Sequence, residues 1–176
     1  MIDQDRLALL DTLTLSVGGH SCRDDGTCAM VAVAWLADEP HSASPTCACE
    51  VTASLVRQLN DFIPSTAMRT RLLRSLLPRL VDSVVDREAT ERRRYMATDS
   101  IVRIFMPIML DAAGDRIAAQ KLRDLPEVTG ETKVDCNYIT ATSYYTAASA
   151  AAAAAATAYD AEVEERIWME AVHLVE

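Results

Sequence analysis

The sequence has no apolar run long enough to cross a bilayer, and its alanine stretch is too weakly hydrophobic to count as one. It opens Met1-Ile2-Asp3-Gln4-Asp5, acidic where a secretory leader carries basic residues. These two absences lead us to expect a soluble, cytoplasmic chain. Its five cysteines are then free thiols or metal ligands rather than disulfides. Basic charge is also short: 17 Lys and Arg stand against 26 Asp and Glu, a net charge of −9. A general nucleic-acid binder carries the opposite excess to neutralise phosphates, so that class is disfavoured. Aromatics make up only 5%. None interleaves with Arg69, Arg71, Arg74, Arg79 or Arg92-Arg93-Arg94, which share their faces with Asp82, Asp86, Glu88 and Glu91, so base stacking has no platform. Glycine and proline number 5 and 6, and no strand-and-turn alternation follows residue 30, which excludes an all-β architecture. The patterns G-x-S-x-G, H-E-x-x-H, Walker and G-x-G-x-x-G are absent too.

What is present reads as an all-α protein. At 176 residues and 50% apolar content, the chain suits one compact helical domain with an appended element. We expect the domain over 1–136 and an alanine-rich, acidic C-terminal helix over 137–176. A leucine-rich segment, Asp5–Leu15, is compatible with helix or strand. Cys28–Ala37 is apolar all round and reads as a buried helix. Val51, Leu55, Leu59 and Phe62 recur at helical spacing until Pro64. Ser65 is a candidate N-cap for the next helix, which Pro78 divides or bends. A long helix over about 87–113 has Tyr95, Ile101, Ile104, Phe105 and Ile108 as core positions, a kink at Pro107 and a C′ cap at Gly114. A short helix then ends at Pro126.

Ala147–Ala158 holds ten alanines in twelve positions, interrupted by Ser149 and Thr157. Alanine has the highest helix propensity, and Glu162 with Arg166 is a favourable i,i+4 pair in the continuation. Unbroken to Val175, this helix would be about 50 Å long, more than a small domain covers. It then projects or pairs with another helix, so self-association through it stands beside simple packing on the domain. The charge is uneven: residues 61–125 carry 12 basic and 9 acidic side chains, and 126–176 carry 2 and 9. Solvated faces, docking of the acidic tail on the middle, and a basic partner surface all fit this pattern.

One cluster carries chemistry. His20, Cys22, Cys28, His41, Cys47 and Cys49 fall within thirty residues, on two loops flanking one apolar helix. Zinc takes four such ligands in a tetrahedron, and His20, Cys28, His41, Cys47 and Cys49 are the candidate set. The spacings Cys22-x5-Cys28 and Cys47-x-Cys49 differ from paired C-x2-C knuckles. Packed thiols without metal, or a reactive thiol, remain alternatives. Cys136 and His173 stand apart.

The cluster also carries a resemblance. Gly19-His20-Ser21, Asp25-Gly26-x-Cys28-Ala29-Met30, Glu39-Pro40-His41-Ser42, Pro45 and Cys47-x-Cys49 resemble a group of uncharacterised actinobacterial and phage-encoded proteins. The resemblance continues through Leu59-Asn60-Asp61, Leu77-Pro78-Arg79, Glu91-Arg92-Arg93 and Arg103-x-Phe105-x-Pro107. It spans about residues 18–128, and the group often has alanine-rich tails. The chain departs from it at Val31, where the group has Glu, at Ala43-Ser44, where Asp and His are frequent, and at Cys22, an extra thiol.

Two functions follow. The first is a small binding or adaptor protein, of phage-like regulatory or counter-defence type by the resemblance. It acts on a protein partner, either a host protein or a second copy through the C-terminal helix. The second is a thiol- or metal-dependent enzyme centred on Cys28, with His20 or His41 as base. The loss of the Glu at Val31 weighs against catalysis.

Overall fold

The computed structural model of the chain describes residues 1–18, 26–131, 143–156 and 161–173, with Val175. Every regular element among them is helical, and the chain forms two compact units, 1–85 and 86–174.

In the first unit, α1 (Gln4–Ala8) is capped by Asp3, whose carboxylate accepts from the Arg6 N–H at 3.0 Å. A 3₁₀ turn (Leu10–Thr12) follows, which resolves the ambiguous leucine-rich segment as helix. The core is α2 (Ala29–Leu36), whose residues from Ala29 to Ala34 and Leu36 are all buried. Amphipathic α3 (Glu50–Phe62) lays Ala53, Leu55, Val56 and Leu59 against the core. Ser65 caps α4 (Thr66–Leu73) by accepting from the Met68 N–H at 3.1 Å. Pro78 sits in the first turn of α5 (Leu77–Leu80), after a 3₁₀ segment (Arg74–Leu76), so it divides the helix where a missing donor costs nothing.

One packing fault is visible in α3. Thr52 is 3% exposed, and its buried hydroxyl has no hydrogen-bond partner. Thr52→Val removes the orphaned donor at nearly constant shape, so we expect unit 1 to gain about 1 kcal/mol in urea unfolding. A loss of stability would show that the hydroxyl is satisfied in solution.

In the second unit, α6 (Arg87–Ser100) runs into a π-helical turn (Ile101–Phe105) and then α7 (Met106–Ala112). Pro107 is the physical cause. It has no N–H for the Arg103 carbonyl, and its ring crowds that carbonyl. The wider turn, in which the Met106 N–H reaches back to Ile101 O, absorbs both problems. The expected kink is therefore a π-turn that shifts the register of the helix face. Phe105 is fully buried, whereas Ile101, Ile104 and Ile108, expected in the core, are half-exposed. Gly114, at φ +87°, ends α7, and Asp115 caps α8 (Arg116–Arg123).

The alanine stretch is helical, as its composition implies, but it does not project. It forms α9 (Ser143–Ala155), which packs against α6, the π-turn and α7. The chain resumes as α10 (Ala161–His173), packed against α9 with Ile167, Trp168, Ala171 and Val172 buried. Small side chains such as Ala151 and Ala154, both fully buried, allow this close approach. Among the described residues, no helix is long and apolar enough to cross a membrane.

Candidate functional site

The hydrogen bonds at the ends of α2 and α3 set where the cysteines fall. At the start of α2, the Ala29 N–H donates to Asn60 Oδ1 at 3.1 Å, near the C-terminus of α3. Beyond the end of α2, Glu39 holds the approach to α3, accepting from the Thr46 N–H at 2.6 Å, the Thr46 hydroxyl at 2.8 Å and the Cys47 N–H at 2.8 Å. The two helices therefore run antiparallel. Cys28 lies at one end of the pair, and Cys47 and Cys49 at the other.

From Cys49, the N-cap of α3, to Asn60 is eleven residues, or about 16 Å of helix. Thiolates sharing one zinc each lie about 2.3 Å from it. Of the candidate set His20, Cys28, His41, Cys47 and Cys49, Cys28 is thus separated from Cys47 and Cys49 and cannot share one metal with them. His20 lies outside the described residues, as do Cys22 and Cys136. Among the described residues, no group of three or more His, Cys, Asp and Glu is placed to hold a metal.

The second loop does double back along α2, as a converging site requires, but what it delivers differs. His41 lines a small cavity of about 100 Å³ with Thr27, Val31, Trp35 and Glu39. Ala43 reaches a separate cavity of about 190 Å³, walled by Cys28, Arg57, Asn60 and Asp61. Cys28, Cys47 and Cys49 are free thiols. Burial pushes the Cys47 thiol above its ordinary value, reinforced by the Glu39 carboxylate and opposed by the Asp82 N–H. At neutral pH it is a thiol rather than the thiolate that attacks or ligates. Cys49 is buried and donates its N–H to Ser83 Oγ at 3.0 Å, a structural placement.

Burial raises the pKa of Glu39, but its three donors outweigh this and hold the carboxyl below its ordinary value of 4.5. A lowered folded pKa means the clamp is fully present above the unfolded value and lost as pH falls through the folded one. We therefore expect the Thr46 and Cys47 amides to lose hydrogen-exchange protection on acidification below the ordinary carboxyl value of 4.5, a dependence that Glu39→Gln removes. Unchanged protection down to pH 2 would contradict it.

The second unit holds a groove larger than either of these two cavities. The π-turn and α7 place Ile104 and Ile108 along one wall of a groove of about 460 Å³, and α10 places Val163 and Ile167 along the other. That volume falls within the range of binding clefts. Three arginines reach this groove, and two are committed. Arg103 makes a paired contact to Asp99 at 2.6 and 2.7 Å, and Arg123 meets Asp111 at 2.5 Å. Asp99 is itself fixed by the Val128 N–H at 2.9 Å. Arg166 makes no ion pair among the described residues, so the expected Glu162–Arg166 pair is not formed. Glu170, one turn on, also lines the groove unpaired.

The groove was not visible in the sequence, because helical periodicity assigns its isoleucines to the core. The one available signal was Pro107, which marks where the periodicity breaks. Compared with protein-family models, curated proteins and solved structures, the chain matches none.

Proposed function

We propose that the chain is a binding protein of adaptor type, working by protein–protein contact through the groove of its second unit. The observation that carries this reading is the groove itself, whose walls hold half-buried Ile104, Ile108 and Val163 over a buried Ile167, beside an uncommitted guanidinium and carboxylate. An apolar cleft rimmed by charge is the usual anatomy of a docking face.

The placement of the thiols supports it from the other side. Cys28 and His41 line different cavities, so no one cavity presents both to a substrate as thiol catalysis needs. Two positions where the chain departs from the actinobacterial and phage proteins it resembles, Val31 and Ala43, lie in the walls of those cavities. Where the resemblance implies an acidic residue at these positions, this chain carries apolar side chains. A reducing cytoplasmic setting suits the free thiols, and a phage-like regulatory role fits the resemblance.

Native mass spectrometry on the chain isolated from cells that make it tests this reading. We expect a bound polypeptide that is lost in Ile108→Asp and kept in Cys28→Ser. A bound species that depends on Cys28 and ignores Ile108, or a covalent adduct on Cys28, would point to the thiol enzyme instead.

A further inference from the structure

We infer that the groove of the second unit is filled by a second copy of this chain, docked two-fold so that Arg166 of each copy meets Glu170 of the other. This rests on the binding reading above and names its partner. Arg166 has carboxylates one turn away in both directions, Glu162 and Glu170, and pairs with neither. Its side chain lines the groove instead, as does that of Glu170. Arg103 and Arg123, the other cations there, are each satisfied by a carboxylate of their own unit. The face therefore presents one free positive and one free negative group, one helical turn apart, beside a half-buried Val163 and above a buried Ile167.

The occupant must answer both charges. A small carboxylate would satisfy Arg166 and leave Glu170 without a partner. A strongly basic partner would do the reverse. A copy of the same helix laid antiparallel answers both at once, because a two-fold axis between the copies swaps the positions of residues 166 and 170. Isologous contacts are built this way, with residue i meeting j and j meeting i. The apolar stripes of the two copies then cover each other. The groove walls run for only about two turns, ~10 Å, so the contact is smaller than an obligate interface and the dimer depends on concentration. Each copy carries −9, but at physiological salt this repulsion is screened beyond about 8 Å, while the facing pairs lie well inside that distance.

Both residues are exposed, so charge reversal leaves the fold intact, which circular dichroism checks. Sedimentation equilibrium over a concentration series is then run on the full chain, on Arg166→Glu, on Glu170→Arg and on the double variant. Each single reversal places like charges opposite each other twice in the dimer, and we expect the dissociation constant to rise about tenfold or more. The double variant restores opposite pairs and should return to within about threefold of the unaltered chain. A dimer indifferent to the single reversals, or one the double variant fails to rescue, overturns the proposed docking. A chain that stays monomeric while its natively bound species still depends on Ile108 overturns it too. In that case a different protein fills the groove and the binding reading stands. If the bound species is also absent, both fail.

Discussion

Arg69→Met is expected to lower the stability of the first unit by about 3–5 kcal/mol, although it replaces one long side chain by another and removes no apolar contact. Arg69 is 1% exposed, yet among the described residues no carboxylate pairs with it. Its guanidinium serves backbone carbonyls: Nε donates to Asn60 O, one terminal nitrogen to Ile63 O at 2.6 Å, and the other lies 3.5 Å from Leu15 O. The reason is local. The Asn60 carbonyl would take its helical bond from residue 64, but Pro64 has no N–H, so α3 ends with an unsatisfied acceptor inside the core. Arg69 supplies the missing donors from the next helix and sits where the dipole of α3 favours a cation.

Burial lowers its pKa, and the field of Asp61 raises it in part. Removing the guanidinium leaves two or three buried carbonyls unpaired, at about 1–3 kcal/mol each. Arg69→Lys should recover little, because an ammonium cannot span acceptors that the planar fork reaches together. The check is urea unfolding followed by Trp35 fluorescence, with Trp168→Phe as background so that only the first unit reports. A fall in midpoint at unchanged slope is expected. A loss below about 1 kcal/mol would mean that water replaces the guanidinium and the site is not sealed.

Arg69 also shows how far local pattern reaches. As a sequence, it belongs to a scatter of arginines whose natural use is a solvated or phosphate-facing surface. Its real role depends on Asn60 and Leu15, and the latter comes from a segment 54 residues away. The features legible beforehand are those whose cause lies within a few residues. Ser65 caps because its hydroxyl reaches a donor three positions on, Pro78 divides a helix because it lacks a donor, and α2 is buried because every side chain is apolar. Cys28 parts from Cys47 and Cys49 for the opposite reason. Closeness in sequence suggested convergence, but two antiparallel helices carry Cys28 to one end and Cys47 and Cys49 to the other. Asn60 is what fixes that outcome, joining Ala29 N to Ser16 O by its two amide atoms, and nothing in its neighbourhood of the sequence announces the role.

Phe105→Ala should cost the second unit about 3–5 kcal/mol, the range for deleting a fully buried aromatic ring. Its environment argues for the upper part of that range. Phe105 is the last residue of the π-turn and is 0% exposed, and the turn packs against both α9 and α8. A site walled by rigid helices collapses little when a ring is removed, so most of the cavity persists and its cost with it. The neighbouring Ile104 provides the contrast within one turn. It is half-exposed on the groove wall, so Ile104→Ala should cost less than half as much in the same experiment. Denaturation followed by Trp168 fluorescence, in a Trp35→Phe background, measures both. Comparable losses at the two positions would mean that Ile104 belongs to the core in solution. The groove would then be closed, and the reading built on it would fail with the register that the π-turn imposes.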